Sequence, residues 1–282
     1  MSGKIDFMDL LKFSLSVPKT GVEWKEIIIL ALASVASAVA GLVAAVVFVA
    51  PAIAEGLSFS IENAGAWALV GFAALVAAYA AYAAVMTAPE ALVIGRIMRE
   101  NAFTKENFAW NKLGGYALLG VKQSLYITLS IKNPVFLVVL VAGMAALFLI
   151  PSLIGLVVGG ILIATYLTGV TTYNFAIVGL AVPEYLNGGK TRSQAIEDAN
   201  NTTKGRRMDF LLAYFAVFVA AYVVTNVIQL PLYPLLVFPP TLILFLLLSI
   251  LAGFFLGGYV MAALAKGTAY IYLKFKGVKK IR

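Results

Sequence analysis

Long apolar runs alternate with short polar intervals along this chain, and the runs have the length that a bilayer demands. A helix needs about 20 consecutive apolar residues to cross a hydrocarbon core of about 30 Å. Runs of that kind predict spans over residues 27–50, 66–88, 134–150, 152–182, 209–230 and 241–265. Three further stretches, 5–15, 116–131 and 193–203, mix apolar with charged or amide positions at helical spacing and read as interfacial helices. In the first of them Ile5, Phe7, Met8, Leu11 and Leu15 alternate with Lys4, Asp6, Asp9 and Lys12. No polar interval could hold a separate soluble domain, so residues 1–282 read as one membrane domain. The expected fold is an all-α, polytopic integral membrane protein with six transmembrane helices arranged as three hairpins.

Turn signals set the boundaries. Pro18 and Gly21 end the first interfacial helix, and Trp24 with Lys25 supplies an interfacial anchor before span one. Pro51 opens a turn holding Glu55 and Glu62, spans three and four meet at Pro151, and Pro231, Pro234, Pro239 and Pro240 make the turn before span six. The first apolar run starts too late, and behind too many acids, for a cleaved signal peptide, so it reads as a retained span. Residues 116–131 leave two readings open, interfacial or re-entrant. A full seventh crossing there would place Lys122 near its centre, at about 3 kcal/mol on insertion scales.

Charge adds an orientation to this pattern. The chain is 62% hydrophobic and only 12% charged, with a mean hydropathy of +0.97, far from the roughly 25% charged residues of soluble domains. Under six spans its 21 Lys and Arg fall on the N-terminus, the second loop, the fourth loop and the C-terminal end, all on one face. Only Glu55 and Glu62 lie on the other face. The positive-inside rule then predicts a cell-membrane protein with both termini cytoplasmic. A basic cytoplasmic surface also predicts contact with anionic lipid head groups. The bases lie beside the bilayer and are spread over four segments, so nucleic acid is not an expected partner. Heavy use of Ala, Val, Ile and Leu suits a thermophile.

Candidate chemistry is sparse. With no Cys and no His the chain lacks thiolates and imidazoles, so no metal site, no cofactor and no enzyme activity are expected. No ionisable residue lies near the middle of a predicted span, which argues against proton-coupled carriers and intramembrane hydrolases. Thr168, Thr171, Thr172 and Asn174 in span four, with Asn226 and Gln229 in span five, could line a polar path. They could equally bond their own backbone or a neighbouring helix. Gly155 and Gly159, and Gly253 and Gly257, form two small-xxx-small faces for helix packing, within the monomer or between subunits.

Met86-Thr-Ala-Pro-Glu-Ala-Leu92 and Leu180-Ala-Val-Pro-Glu-Tyr-Leu186 resemble each other at the ends of spans two and four, and Lys266 occupies the corresponding place in span six. As a threefold hairpin repeat this would gather Glu90, Glu184 and Lys266 into a cytoplasmic ion cluster, whereas as simple helix-exit signals the matches carry no such meaning. Gly-Gly-Lys-Thr at residues 188–191 lacks the first glycine and the strand of a phosphate-binding loop.

The run from Ser193 to Arg207, followed by span five and a last helix ending Thr268-Ala-Tyr-Ile-Tyr-Leu273, resembles a family of poorly characterised six-helix membrane proteins. The family is related to the membrane domain attached to some glycerophosphodiester phosphodiesterases. The resemblance implies a six-helix fold and brings no catalytic residues. The expected function is a non-enzymatic subunit that packs with itself or with a membrane partner. The alternative is a permease or channel subunit for a small solute or lipid, working with a separate ATPase. An enzyme acting on lipids would have only Glu90 and Glu184 as an acid pair.

Overall fold

A computed structural model describes residues 4–104, 109–150, 152–232 and 242–281. Its helices are α1 (Phe7–Ser14), α2 (Gly21–Ala54), α3 (Ala64–Glu100), α4 (Leu113–Thr128), α5 (Leu137–Leu149), α6 (Leu153–Thr165), α7 (Thr171–Val178), α8 (Ala181–Leu186), α9 (Arg192–Thr203), α10 (Arg207–Gln229) and α11 (Leu242–Phe275). Five helical stretches are long and apolar enough to cross a membrane: Gly21–Ala54, Ala64–Glu100, the composite Leu153–Leu186, Arg207–Leu232 and Ile243–Phe275. With no strand among the described residues, this is an all-α, multi-pass membrane protein. The remaining apolar helix, Pro134–Leu149, reaches about 24 Å at about 1.5 Å per residue and falls short of a full hydrocarbon core. The expected hairpin corner at Pro151, the turn prolines Pro234, Pro239 and Pro240, and Thr241 at the start of span six lie outside the described residues.

Two prolines expected to end spans do not. Pro51 and Pro89 sit inside α2 and α3, each removing one main-chain bond, to the carbonyls of Val47 and Val85. An interior proline costs about 3 kcal/mol in an isolated helix. Downstream of Pro89 the cost is offset by packing, since Ala91, Val93, Ile94, Ile97 and Met98 are all buried. Span two, expected to stop at residue 88, therefore runs on to Glu100 and carries Glu90 and Arg96 within one continuous helix.

Span four is interrupted instead. A π turn at Tyr166–Val170 separates α6 from α7, and the helix breaks between Val178 and Ala181. Pro183 explains the second break, because it cannot donate to the Gly179 carbonyl. The Val178 carbonyl is freed as well, and Gln123 of α4 donates its side-chain amide to it at 2.9 Å.

Packing divides the molecule into a protein-like end and a lipid-like end. The main core joins α1, the first turns of α2, the second half of α3, α4, α7–α9, the first half of α10 and the last turns of α11, with Leu10, Met98, Leu119, Ile196, Phe210 and Tyr272 all fully enclosed. Toward the other end the same long helices turn large apolar groups outward, among them Leu42, Val47, Ile161 and Ile250. That is stable only where the surroundings are hydrocarbon. Helix α4, expected as an interfacial helix over residues 116–131, belongs to the protein-like end. It packs on α3, α7, α8 and α9 and buries Tyr116, Leu119, Gly120, Ser124 and Ile127.

Glycines set the closest crossings. A Cβ at Gly120 would lie 2.2 Å from Thr87 Oγ1 and 2.3 Å from the Ala83 carbonyl oxygen, so α3 and α4 touch backbone to backbone. Gly155 and Gly159 face Ile150, Leu147 and Gly143, which places their packing inside the α5–α6 hairpin of the monomer. Gly253 and Gly257 have nothing within 4 Å, and it is Gly258 that meets Ile27 and Ala31 of α2.

Candidate functional site

The two Pro-Glu pairs occupy unlike surroundings. Glu184 is fully enclosed. Its Oε2 accepts from Lys190 Nζ at 2.6 Å, and its Oε1 accepts from Thr202 Oγ1 and lies 2.6 Å from Lys276 Nζ. Lys190 also reaches Asp198 at 2.7 Å. Burial works against the charged form of Lys190, but its hydrogen bonds to Asp198 and Glu184 outweigh this and raise its pKa above the ordinary lysine value. One carboxylate thus ties α8, the turn after it, α9 and the C-terminal segment together. This is an assembly joint whose acceptors are all in use.

Glu90 instead opens into a cavity of about 360 Å³ bounded by α3, α4, α7, α8, α10 and α11. No hydrogen bond or nearby charge among the described residues acts on its carboxylate; burial alone does. Around it stand Tyr79 and Tyr82 from its own helix, Gln123 from α4, Phe175 from α7, and Tyr214 and Phe218 from α10. Tyr79, Tyr82 and Tyr214 all lie within electrostatic reach of Glu90. The Tyr214 ring is held edge-on by Phe175 at 4.8 Å between centroids, and Phe175 in turn packs on Phe210 at 5.5 Å. A concave, mostly apolar chamber with one converging charge has the usual make-up of a small-molecule site, at the lower end of the common range of about 300–1,000 Å³.

No family model, curated protein or solved structure matches the chain. Its geometry alone carries the reading.

The expected ion cluster does not form. Glu90 faces the cavity, Glu184 is saturated by Lys190, Lys276 and Thr202, and Lys266 donates to the carbonyl and hydroxyl oxygens of Ser16 at 3.2 and 3.1 Å. The three residues sit on separate helices, α3, α8 and α11, each with separate surroundings.

The expected polar path does not line up either. Thr168, Thr171 and Thr172 donate to their own backbone carbonyls one turn back, and Thr168 and Thr172 are exposed on the outer face. Asn226 bonds the Tyr222 carbonyl at 2.8 Å within its own helix, and Gln229 is half-buried near the end of α10. Asn174 alone points inward. Its amide donates to the Ile127 carbonyl at 3.0 Å and to Ser130 Oγ at 2.7 Å. Ser130 has a left-handed backbone with φ of 48°, and its hydroxyl also meets the Tyr166 hydroxyl at 3.1 Å. These bonds hold the strained end of α4 in place, so Asn174 is a clamp and not a path residue.

The cavity tyrosines could have been found in the sequence. Tyr79, Tyr82, Met86, Glu90 and Ile94 recur at intervals of three and four, one stripe of a helix. Ending the span at residue 88 splits that stripe and hides it.

A second concavity, of about 540 Å³, lies among α1, α3, α11 and the C-terminal segment, with Lys12, Lys19, Lys266, Lys279 and Lys280 on its walls. Arg96 crosses it but is already committed. Its Nε and Nη2 bind Glu26 at 2.7 and 2.9 Å, and its Nη1 binds Glu100 at 2.8 Å.

Proposed function

We propose that this protein is a non-enzymatic, six-crossing membrane protein with both termini cytoplasmic, which holds a small solute or lipid head group inside its bundle as a permease or channel subunit. One observation carries the reading: Glu90, a carboxylate with no protein partner among the described residues, opens into a chamber built by six helices. An ionisable group in such a place is expensive and calls for a ligand. The short helix Pro134–Leu149, paired with α6, supplies the sixth crossing in this reading, and the lysine-lined concavity beside α1 takes an anionic lipid head group.

Native mass spectrometry of the protein released from lipid tests the chamber. A bound small molecule should be present with the wild type and absent from Ala265→Phe, which fills the cavity from α11. Equal occupancy in both would remove the site. For the topology, the chain's lack of cysteine allows Ser60→Cys and Lys204→Cys to be labelled singly in vesicles by an impermeant maleimide. The two should label from opposite sides, with Ser60→Cys outside.

The assembly-subunit reading retains one observation of its own, the open Gly253 and Gly257 positions on α11. A strictly monomeric protein in lipid, unchanged in mass by Gly253→Leu, would end it.

A further inference from the structure

We infer that the ligand of the Glu90 chamber is a lipophilic ammonium: a cationic head group held between Glu90 and the tyrosines, with its aliphatic chain lying in a groove on the lipid side of the same wall. This rests on the chamber being a binding site, and it specifies the chemistry.

The charge comes first. A carboxylate in an enclosed, mostly apolar place is matched by a cation, and none of the described cationic side chains reaches Glu90. The nearest base along its helix, Arg96, is taken up by Glu26 and Glu100. A metal ion would want several oxygen ligands, and no group of three or more acidic side chains placed to hold a metal ion exists among the described residues. The chamber that holds the carboxylate is instead lined by five aromatic rings, Tyr79, Tyr82, Phe175, Tyr214 and Phe218, beside the polar groups of Thr87, Gln123, Ser124 and Thr268. Ring faces attract a diffuse, weakly hydrated cation and suit a substituted ammonium far better than a small hydrated ion.

The apolar part follows from continuity. A groove of about 710 Å³ runs between α3, α7 and α10, and Tyr79, Phe175, Tyr214 and Phe218 belong to both its wall and the chamber's. Its outer lining includes Leu75, Met208, Leu212 and Phe215, all exposed toward the lipid side. A head group entering the chamber sideways therefore leaves its chain against apolar residues in a membrane setting. An uncharged lipid would fill the groove but leave the carboxylate unmatched. A soluble ammonium would match the carboxylate but leave the groove empty.

Equilibrium binding to protein in lipid nanodiscs, with empty discs subtracted, tests this with three radiolabelled probes: dodecyltrimethylammonium, tetramethylammonium and dodecanol. Wild type should bind the first saturably, tetramethylammonium at least about tenfold more weakly, and dodecanol without saturation. Glu90→Gln should weaken dodecyltrimethylammonium at least about tenfold. This variant removes no protein ion pair and should elute from size exclusion as wild type does. The chain-length comparison on wild type stands even if it does not. Equal binding by Glu90→Gln, saturable dodecanol binding, or tetramethylammonium binding as tight as the long-chain probe each overturns the inference. If all three probes fail while a molecule lost in Ala265→Phe is still found by mass spectrometry, only the lipophilic ammonium is refuted. If that molecule is absent too, the chamber itself is refuted.

Discussion

Pro183-Glu184 and Pro89-Glu90 are the same dipeptide at corresponding ends of two spans, each with a base six residues on, Lys190 and Arg96. In the first copy the base reaches the acid and in the second it does not. Six residues along an intact helix is about 600° of rotation and about 9 Å of rise, which carries Arg96 to another face of α3, where it finds Glu26 instead. After Leu186 the helix stops. Gly188 and Gly189 take φ values of 89° and 68°, open to glycine at little cost, and the chain folds Lys190 back onto Glu184. The local turn, and not the acid, decides whether a carboxylate becomes a structural joint or stays without a partner among the described residues.

The sharpest test sets one substitution against its twin. Glu184→Gln leaves Lys190 and Lys276 beside a neutral group. Breaking a buried pair costs about 3–5 kcal/mol, and because both lysines can swing partly into water, about 3 kcal/mol is expected here. A marked fall in the unfolding temperature in detergent would show it. Glu90→Gln should leave that temperature unchanged or raise it, since an unmatched charge is removed. If the two variants fall equally, the contrast between the sites is wrong. The same joint fixes a pH dependence. Lys190 has a folded pKa above its ordinary value, so its contribution is complete below the lysine range and disappears only as pH rises through the raised value. Between pH 6 and 9 Lys190→Met should therefore lower the unfolding temperature by a constant amount, measured across buffers.

The next effect probes the free copy. Gly120 lets α4 lie directly on Thr87 and Ala83, about one and two turns before Glu90. Gly120→Leu should cost about 2 kcal/mol by overpacking and should also deform the chamber wall. Loss of stability without any loss of probe binding would detach the α3–α4 crossing from the site.

Much of this architecture is legible in the chain, because period and length are written into it. The apolar runs locate the five long helices, and the capping box at Thr191 and Gln194 marks the start of α9. What escapes reading is how helices end. Proline and a following acid look like an exit at both residues 89 and 183, yet α3 continues because its next turns are buried while the other span breaks at Gly179, to whose carbonyl Pro183 cannot donate. The hydroxyl-rich stretch from Thr168 to Asn174 misleads for a related reason. Composition marks it as polar, but hydroxyls bonded to their own helix carbonyls offer nothing to a passing solute.

That last distinction has the smallest expected effect. Asn174→Ala removes bonds to Ile127 and Ser130, and interhelical bonds of this kind are worth about 0.6 kcal/mol on average in membranes. Because Ser130 is also held in a left-handed conformation, about 1 kcal/mol is expected. Thr172→Val should lie within about 0.5 kcal/mol of wild type, since an exposed hydroxyl bonded to its own helix is replaced by a methyl that faces lipid. Neither change touches Glu90, so Asn174→Ala should bind dodecyltrimethylammonium as wild type does, and Thr172→Val, which puts a methyl for a hydroxyl on the wall of the groove that takes the aliphatic chain, should bind it at least as well. A drop in binding for Thr172→Val with stability unchanged would show that the groove wall beside Thr172 does not hold the aliphatic chain by apolar contact. The contrast between a saturated Glu184 and an unpaired Glu90 would then locate the head group alone.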